Sequence, residues 1–505
     1  MNIRKAKIVA TIGPASESEE QLRELVLAGV DVTRINASHG EPDHHAEVIS
    51  RIRRVSGEVG KPVAVMLDLS GPKIRTGRLR NGDSVFLHDG AEVQITPEDI
   101  IGDANRFSAN YELLPSEVHS GERILIGDGE IELEVLGAAP SNVRARVVHG
   151  GLLGEHKGIN LPGTRISIPS ITDKDLRDLS MGTTCGIDLV AQSFVQNASD
   201  CRKARDLIGK MCPGRRLIAK IEKPQAIDDL DNILDVADGV MVARGDLAVE
   251  TSPEQVPLLQ KRIISRALVA QKTVITATQM LQSMVEAPLP TRAEASDVAN
   301  AVLDGSDALM LSAETAVGRF PIDAVAMMDR IIRSTEQATG SSGVLWDEVG
   351  AYSPPVILSN ATALLRESRL GRKSGSIGRA LAEAAVFAAD EVGCRLIVVF
   401  TQTGHMAHRV AALRPRQRVI AFTPIVETCR QLAVSWGVEP ILLEEWTPAS
   451  DQVLASGDRA LLGHQLANPG DPVVLIAGVI RDLALSTSMK LHRVGDFVSR
   501  LASNT

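Results

Sequence analysis

The chain has 505 residues, more than a single core ordinarily holds, so two to four domains are expected. A formal charge of −9 and an aromatic content of only 3% argue against nucleic-acid binding, which needs a basic surface and stacking side chains. Hydrophobic content of 44% with 23% charged residues is ordinary for a soluble globular protein, and no stretch reaches the ~18 apolar residues of a membrane span, so a cytoplasmic location is expected.

From the N-terminus, KIVATIG reads as a strand and SEEQLRELVLAG as a helix, with serine and glutamates suited to its start and glycine to its end. VDVTRIN follows, then a helix near HHAEVISRIRRVSGEVG, with His44 and His45 solvated at its start, then VAVMLDL. Between residues 73 and 165 the texture changes. SVFLHDG, EVQITP, RILIGDGEIELEV and VRARVVHGG are strand-like runs, and the DG at 128–129 marks a hairpin rather than a metal loop. Beyond 166 the strand candidates DLVAQSFV, RLIAKIE, GVMVARGDL, TVITATQM and ALMLSAETA alternate with helices such as PQAIDDLDNILDVA. Three strands before the break and five after it make eight βα units, the number that closes a parallel (β/α)8 TIM barrel. An open doubly wound sheet is the alternative.

The expected division is therefore a TIM-barrel catalytic domain at 1–72 and 166–338, an inserted β-barrel lid domain at 73–165, and a C-terminal α/β regulatory domain at 339–505. The last contains the loop-rich segment VGAYSPPVILSNATALLRESRLGRKSGS, followed by RLIVVFT, RVIAFT, EPILL and PVVLIAG alternating with helices. Cys185, Cys201, Cys212, Cys394 and Cys429 are scattered, which suggests reduced thiols and neither a disulfide framework nor a zinc site.

Chemistry in a parallel barrel gathers where the strands end. In LIAKIEKP, Lys220 and Glu222 alternate onto one face of a strand, and burying either charge alone costs several kcal/mol. An internal salt bridge would satisfy them; so would a functional site. Other strand ends carry polar residues too: Arg34, Asn36 and Ser38; Asp68 and Ser70, then Lys73 and Arg75; Arg244 and Asp246; Thr276 and Thr278; Glu314. Glu222 and Asp246 end neighbouring strands, ~4.8 Å apart, and could share one cation. Oxygen ligands of this kind suit Mg²⁺ or Mn²⁺ better than zinc. Lys220 then serves as a fixed positive charge for a transferring phosphoryl group or an oxyanion, with Arg34, Arg75 and Lys157 available for phosphate contacts.

The motifs KIVATIGPAS, RINASHG, LDLSGPKIRTG, KGINLPG, AKIEKPQAI, VMVARGDLAVE, ITATQML and PTRAEASDVANAVLDGSDALMLSAETAVG resemble the pyruvate kinase family, in that family's order and with its inserted β domain. The resemblance covers residues 4 to 335 with high specificity and continues more weakly over 380 to 440. It implies phosphoryl transfer from phosphoenolpyruvate to ADP, giving pyruvate and ATP in glycolysis, by a homotetramer. It also implies roles: Lys220 as transition-state stabiliser, Glu222 and Asp246 as Mg²⁺ ligands, and Arg34, Thr278 and the backbone at Gly245 as phosphoenolpyruvate contacts. Arg75, Lys157 and the loop from Asn36 to His39 correspond to nucleotide contacts, under a lid that excludes water.

Two departures from the family pattern stand out. Members that need a monovalent cation hold it with residues matching Asn36, Ser38, Asp68 and the residue after it, and carry glutamate where this chain has Lys73 and threonine where it has Leu69. An internal ammonium at Lys73 implies potassium independence. In the C-terminal domain the two effector loops read TQTGHMAH and AGVIRDLALSTS, poor in phosphate anchors and in glycine, although Thr401, Thr403 and Gly404 could cradle a monophosphate. An altered sugar-bisphosphate response, or none, is expected. A Mg²⁺-dependent aldolase or lyase and a catalytically dead, effector-sensing homologue are the other readings weighed.

Overall fold

The computed structural model describes residues 4–127, 129–164, 166–338, 377–443, 450–481 and 484–496. Eight parallel strands close into a barrel: β1 (Lys7–Thr11), β2 (Val32–Asn36), β3 (Ala64–Asp68), β4 (Leu189–Gln192), β5 (Arg216–Ile221), β6 (Gly239–Ala243), β7 (Thr273–Ala277) and β8 (Ala308–Leu311). Each pairs with its sequence neighbours, and β8 returns to β1. The near-continuous apolar strands are buried on both faces, as a parallel sheet requires, and the β8–β1 pairing makes the sheet closed rather than open. Val9, Met66, Ile218, Met241 and Ile275 fill the interior, while the alternate positions Ile8, Leu67, Leu217, Val242 and Val274 are buried against the helices outside.

The helices begin and end where their caps dictate. Ser18 accepts from the Gln21 amide at the start of Glu19–Ala28, which stops at Gly29 with φ 124°. The helix Pro42–Val59 corrects one expectation. His44 is exposed beside Glu17, but His45 is buried, because it packs under Gly40, where a Cβ would meet its ring at 3.1 Å.

Between β3 and β4 the insertion forms a seven-stranded sheet in the order Ile74–Arg75, Gly158–Asn160, Arg123–Ile126, Ile131–Ala139, Asn142–His149, Glu92–Thr96, Arg106–Ser108. Its two edges meet at an isolated Thr76–Ala109 bridge, so the sheet curls around its own apolar core. A ribbon of Val85–Leu87 with Gly151–Leu153 lies apart. Where a hairpin was expected at 128–129, Arg123–Ile126 and Ile131–Ala139 pair antiparallel up to Ile126 with Ile131; residue 128 itself lies outside the described residues.

The C-terminal region forms a five-stranded sheet, Val438–Leu442, Arg418–Thr423, Leu396–Phe400, Pro472–Arg481, Ala484–Arg493, parallel except for the last strand. The segment expected to be loop-rich, from 349 to 376, lies outside the described residues. A turn of 3-10 helix, Leu432–Val434, inserts Ala433 and Val434 into the cluster that fills the barrel interior, closing its N-terminal end. Around this plug Lys7 donates to the Val438 carbonyl at 2.8 Å and Arg414 pairs with Asp307 at 2.9 Å. Lys5 and Arg414 both stack on Trp436. All five cysteines are free, and no helix among the described residues is long and apolar enough to cross a membrane.

Candidate active site

At the opposite end the strands deliver charge. Lys220 is next to last in β5 and Glu222 follows its end, so the alternation of the strand puts both on the inner face. The Lys220 ammonium lies 2.9 Å from Glu222 Oε1, 3.3 Å from Asp68 Oδ1 and 2.7 Å from the Ser193 hydroxyl, and the side chain is nearly buried. Arg34, from the end of β2, donates to Asp68 at 2.6 Å and to the Thr11 hydroxyl at 3.1 Å. Burial works against the Lys220 charge, yet Asp68 and Glu222 outweigh it and hold the ammonium above its ordinary range. The same two cations, Lys220 and Arg34, overcome burial at Asp68 and hold its carboxyl low.

Glu222 is different. Burial, reinforced by Asp246 and opposed by Lys220, pushes its carboxyl upward. One oxygen accepts from the Phe194 amide at 2.7 Å, while Oε1 is buried without a hydrogen bond in good geometry, despite the nearby ammonium. A buried carboxylate oxygen whose close ammonium is poorly aligned for a hydrogen bond, repelled by a second carboxylate, is a place where a hard divalent cation fits. Among the described residues no three His, Cys, Asp or Glu side chains are grouped to hold a metal unaided, so water or substrate oxygens would complete the shell.

A cavity of about 350 Å³ opens above these groups. Arg34, Asn36, Ser38, His39, Ser70 and Lys73 line it from the barrel, with Lys220, Glu222 and Asp246; Arg75 and Lys157 reach it from the inserted domain. Most residues singled out from the sequence thus converge on one space. Burial and the facing Arg75, Arg34 and Lys73 charges depress the pKa of His39, the sign of a field that attracts anions. Gly245 and Thr278 stand together behind the wall. Thr278 has φ 69°, an uncommon conformation for a β-branched residue, and is held there by accepting from the Gly245 amide at 2.8 Å and donating to the Ala277 carbonyl at 2.7 Å.

Several expectations need correction. Asp246 does not end a strand: β6 stops at Ala243, and Asp246 lies in the first turn of the helix Arg244–Glu250. That helical turn swings Arg244 away from the mouth, to Asp297 at 2.8 Å and to the Thr278 carbonyl at 2.7 Å. Thr276 is fully buried against Ser306, and Glu314 is fully buried, accepting from the Leu281 and Ser312 amides. Both serve structure.

Asp68 serves two cations of the chain itself, and Asn36 accepts from the Ser38 amide at 3.2 Å. Leu69 is in the core and offers no side-chain oxygen, while the Lys73 ammonium sits 4.0 Å from Asp246. Thr401, Thr403 and Gly404 lie far from this mouth, at the start of β5. There the Thr401 hydroxyl accepts from the Gly404 amide at 2.9 Å and Arg216 donates to the Thr403 carbonyl at 3.4 Å.

Sequence reasoning missed Ser193 and Phe194, which follow β4, the strand whose end had been given no polar role. The serine in QSFV was the available signal. Also missed was a buried trio joining insertion and barrel: Glu250 Oε1 accepts from Asn160 at 3.0 Å and from Lys223 at 3.1 Å. No local pattern announces that contact.

With this geometry in place, comparison with known proteins is decisive. Residues 3–325 match the family model "Pyruvate kinase, barrel domain", and residues 379–490 match "Pyruvate kinase, alpha/beta domain". The chain belongs to the pyruvate kinase family. It is 40% identical over 502 residues to the pyruvate kinase of Sporosarcina psychrophila, covering 99% of this chain and 82% of that protein. It is likewise 40% identical over 489 residues to pyruvate kinase 2 of Synechocystis, with 96% and 78% covered. The crystal structure of a Cryptosporidium parvum pyruvate kinase superposes with a TM-score of 0.87 at 35% identity, over 97% of this chain and 96% of that one. The chain is a phosphotransferase with the fold of its family.

Proposed function

We propose that the chain moves the phosphoryl group of phosphoenolpyruvate to ADP with Lys220 as the charge that stabilises the transferring group. The carrying observation is the buried ammonium of Lys220 at the wall of a cavity that Arg34, Arg75 and Lys157 also line. The enol C–O–P link breaks at the phosphorus–oxygen bond, and a new bond forms between phosphorus and a β-phosphate oxygen of ADP. The enolate left behind takes a proton at carbon and becomes pyruvate. Arg34, Thr278 and the backbone at Gly245 orient phosphoenolpyruvate, the Gly245 amide becoming available to substrate when it exchanges its bond to the Thr278 hydroxyl. Asn36, His39, Arg75 and Lys157 receive the nucleotide phosphates, and the inserted domain above the mouth shuts out water. Glu222 and Asp246 would hold Mg²⁺ or Mn²⁺, which when bound supplies positive charge to substrate oxygens.

Two finer traits belong to the same reading. Lys73 brings a fixed ammonium to the mouth beside Asp246, and Leu69 withholds an oxygen, which supports turnover without potassium. Within AGVIRDLALSTS, residues 477–481 and 484–488 pair as antiparallel strands, Ala477 with Ser488 and Arg481 with Ala484, so this backbone is held in a ladder rather than as a glycine-rich loop, which supports a weak or absent sugar-bisphosphate response. The test is pyruvate formation from phosphoenolpyruvate, dependent on ADP and Mg²⁺. Turnover in tetramethylammonium buffer is expected to stay near its value with potassium; a loss of about tenfold or more, worth ~1.4 kcal/mol, refutes potassium independence. Fructose 1,6-bisphosphate is expected to leave half-saturation for phosphoenolpyruvate little changed.

A further inference from the structure

We propose that Ser193 is the positioning residue of Lys220, holding the ammonium at the cavity wall through a hydroxyl that is itself fixed from behind. The inference rests on the role given to Lys220 above. A serine hydroxyl has one hydrogen to donate. Two acceptors face it, the Leu69 carbonyl at 2.8 Å and Asp68 Oδ1 at 3.4 Å, and donation to the nearer turns a lone pair toward Lys220 Nζ at 2.7 Å. Ser193 and Leu69 are both buried, Ser193 at the floor of the cavity and Leu69 behind it.

The next residue completes the brace. Phe194 adopts φ 56°, a conformation that L residues rarely take, and its amide donates to Glu222 Oε2 at 2.7 Å. Gly71 makes room: a Cβ there would lie 2.9 Å from the Phe194 ring and 3.2 Å from Ser193 Cβ. Two consecutive residues after β4 therefore grip Lys220 and Glu222, one by a hydroxyl and one by an amide. The remaining close partners of the Lys220 ammonium are carboxylates, Asp68 and Glu222. Without the neutral acceptor the ammonium collapses onto these anions and is drawn off the line of the phosphoryl group.

A double-mutant cycle on the full chain tests this, with kcat and the KM for phosphoenolpyruvate measured at saturating Mg²⁺ and ADP, and Mn²⁺ affinity measured separately by titration of the substrate-free protein. Ser193→Ala is expected to lower kcat ~10- to 100-fold, the scale of an ångström-sized misplacement, with KM and Mn²⁺ affinity changed by less than about threefold. In a Lys220→Ala background the same substitution is expected to cost less than about twofold more, because the group it positions is gone. A Ser193→Ala enzyme within about twofold of the parent kcat overturns the proposal, as does a loss that adds in full to that of Lys220→Ala. Full activity in Lys220→Ala alone would instead overturn the assignment of Lys220, and this one with it.

Discussion

The barrel has two ends made by the same eight strands, and they are finished in opposite ways. At the N-terminal end Ala433 and Val434 plug the opening with apolar volume, ringed by ion pairs such as Arg414–Asp307. At the C-terminal end Lys220, Asp68, Glu222 and Arg34 crowd together, and a Glu222 oxygen is left without a hydrogen bond. The first arrangement minimises free energy as it stands. The second leaves charge poorly satisfied until a cation and an anionic substrate join it, which is how binding free energy becomes directed at the reacting group. The contrast implies that damage at one end should strike turnover and damage at the other should strike stability.

The largest effect expected is at the mouth. Lys220→Ala should lower kcat by ~10²–10³-fold or more, while Mn²⁺ affinity in a substrate-free titration stays within about threefold. Next is the plug: Val434→Ala should cost ~1–3 kcal/mol in denaturant unfolding through the cavity it leaves, with kcat and KM of the folded enzyme unchanged. Equal losses of turnover and stability in both variants would erase the distinction between the ends.

A smaller effect concerns pH. His408, at the junction of barrel and C-terminal domain, donates from Nε2 to the Gln271 carbonyl at 3.0 Å; burial, only partly offset by Asp307 and reinforced by Arg216 and Arg414, brings its pKa down to about 4. The folded state therefore keeps it neutral. Its contribution is complete above the ordinary histidine value of 6.5 and is lost as pH falls from there toward about 4, by at most ~1.4 kcal/mol per unit. Thermal unfolding at pH 7.5, 5.5 and 4.5 should show this slope, and His408→Gln should flatten it. Smallest is the lid contact: Asn160→Ala removes one donor from Glu250 but leaves Lys223, so KM for ADP should rise about threefold, and pyruvate formation without ADP should increase as water gains entry. A fall in both would argue that the trio does not hold the lid.

How much of this was legible beforehand depended on distance along the chain. The strands, the inserted sheet and the shared face of Lys220 and Glu222 follow from periodicity within a few residues. Asp246 was placed on the right rim but on the wrong element, because GVMVARGDL reads as one strand while the chain turns helical at Arg244. Arg244 was misjudged for the same reason. Ser193 and the trio of Asn160, Lys223 and Glu250 were invisible because their partners come from elements far apart in sequence, joined only once the barrel closes.

The insertion also bears on how the molecule is assembled. β3 and β4 are neighbouring staves, with Leu67 beside Val190, yet the whole inserted sheet lies between them in the chain. Were that segment unfolded when the staves meet, its loop-closure entropy would oppose their pairing. Folded first, with Ile74–Arg75 already beside Gly158–Asn160, it brings its own two ends together and reduces the closure to the residues after Asp68 and the stretch that carries the helix Asp173–Cys185.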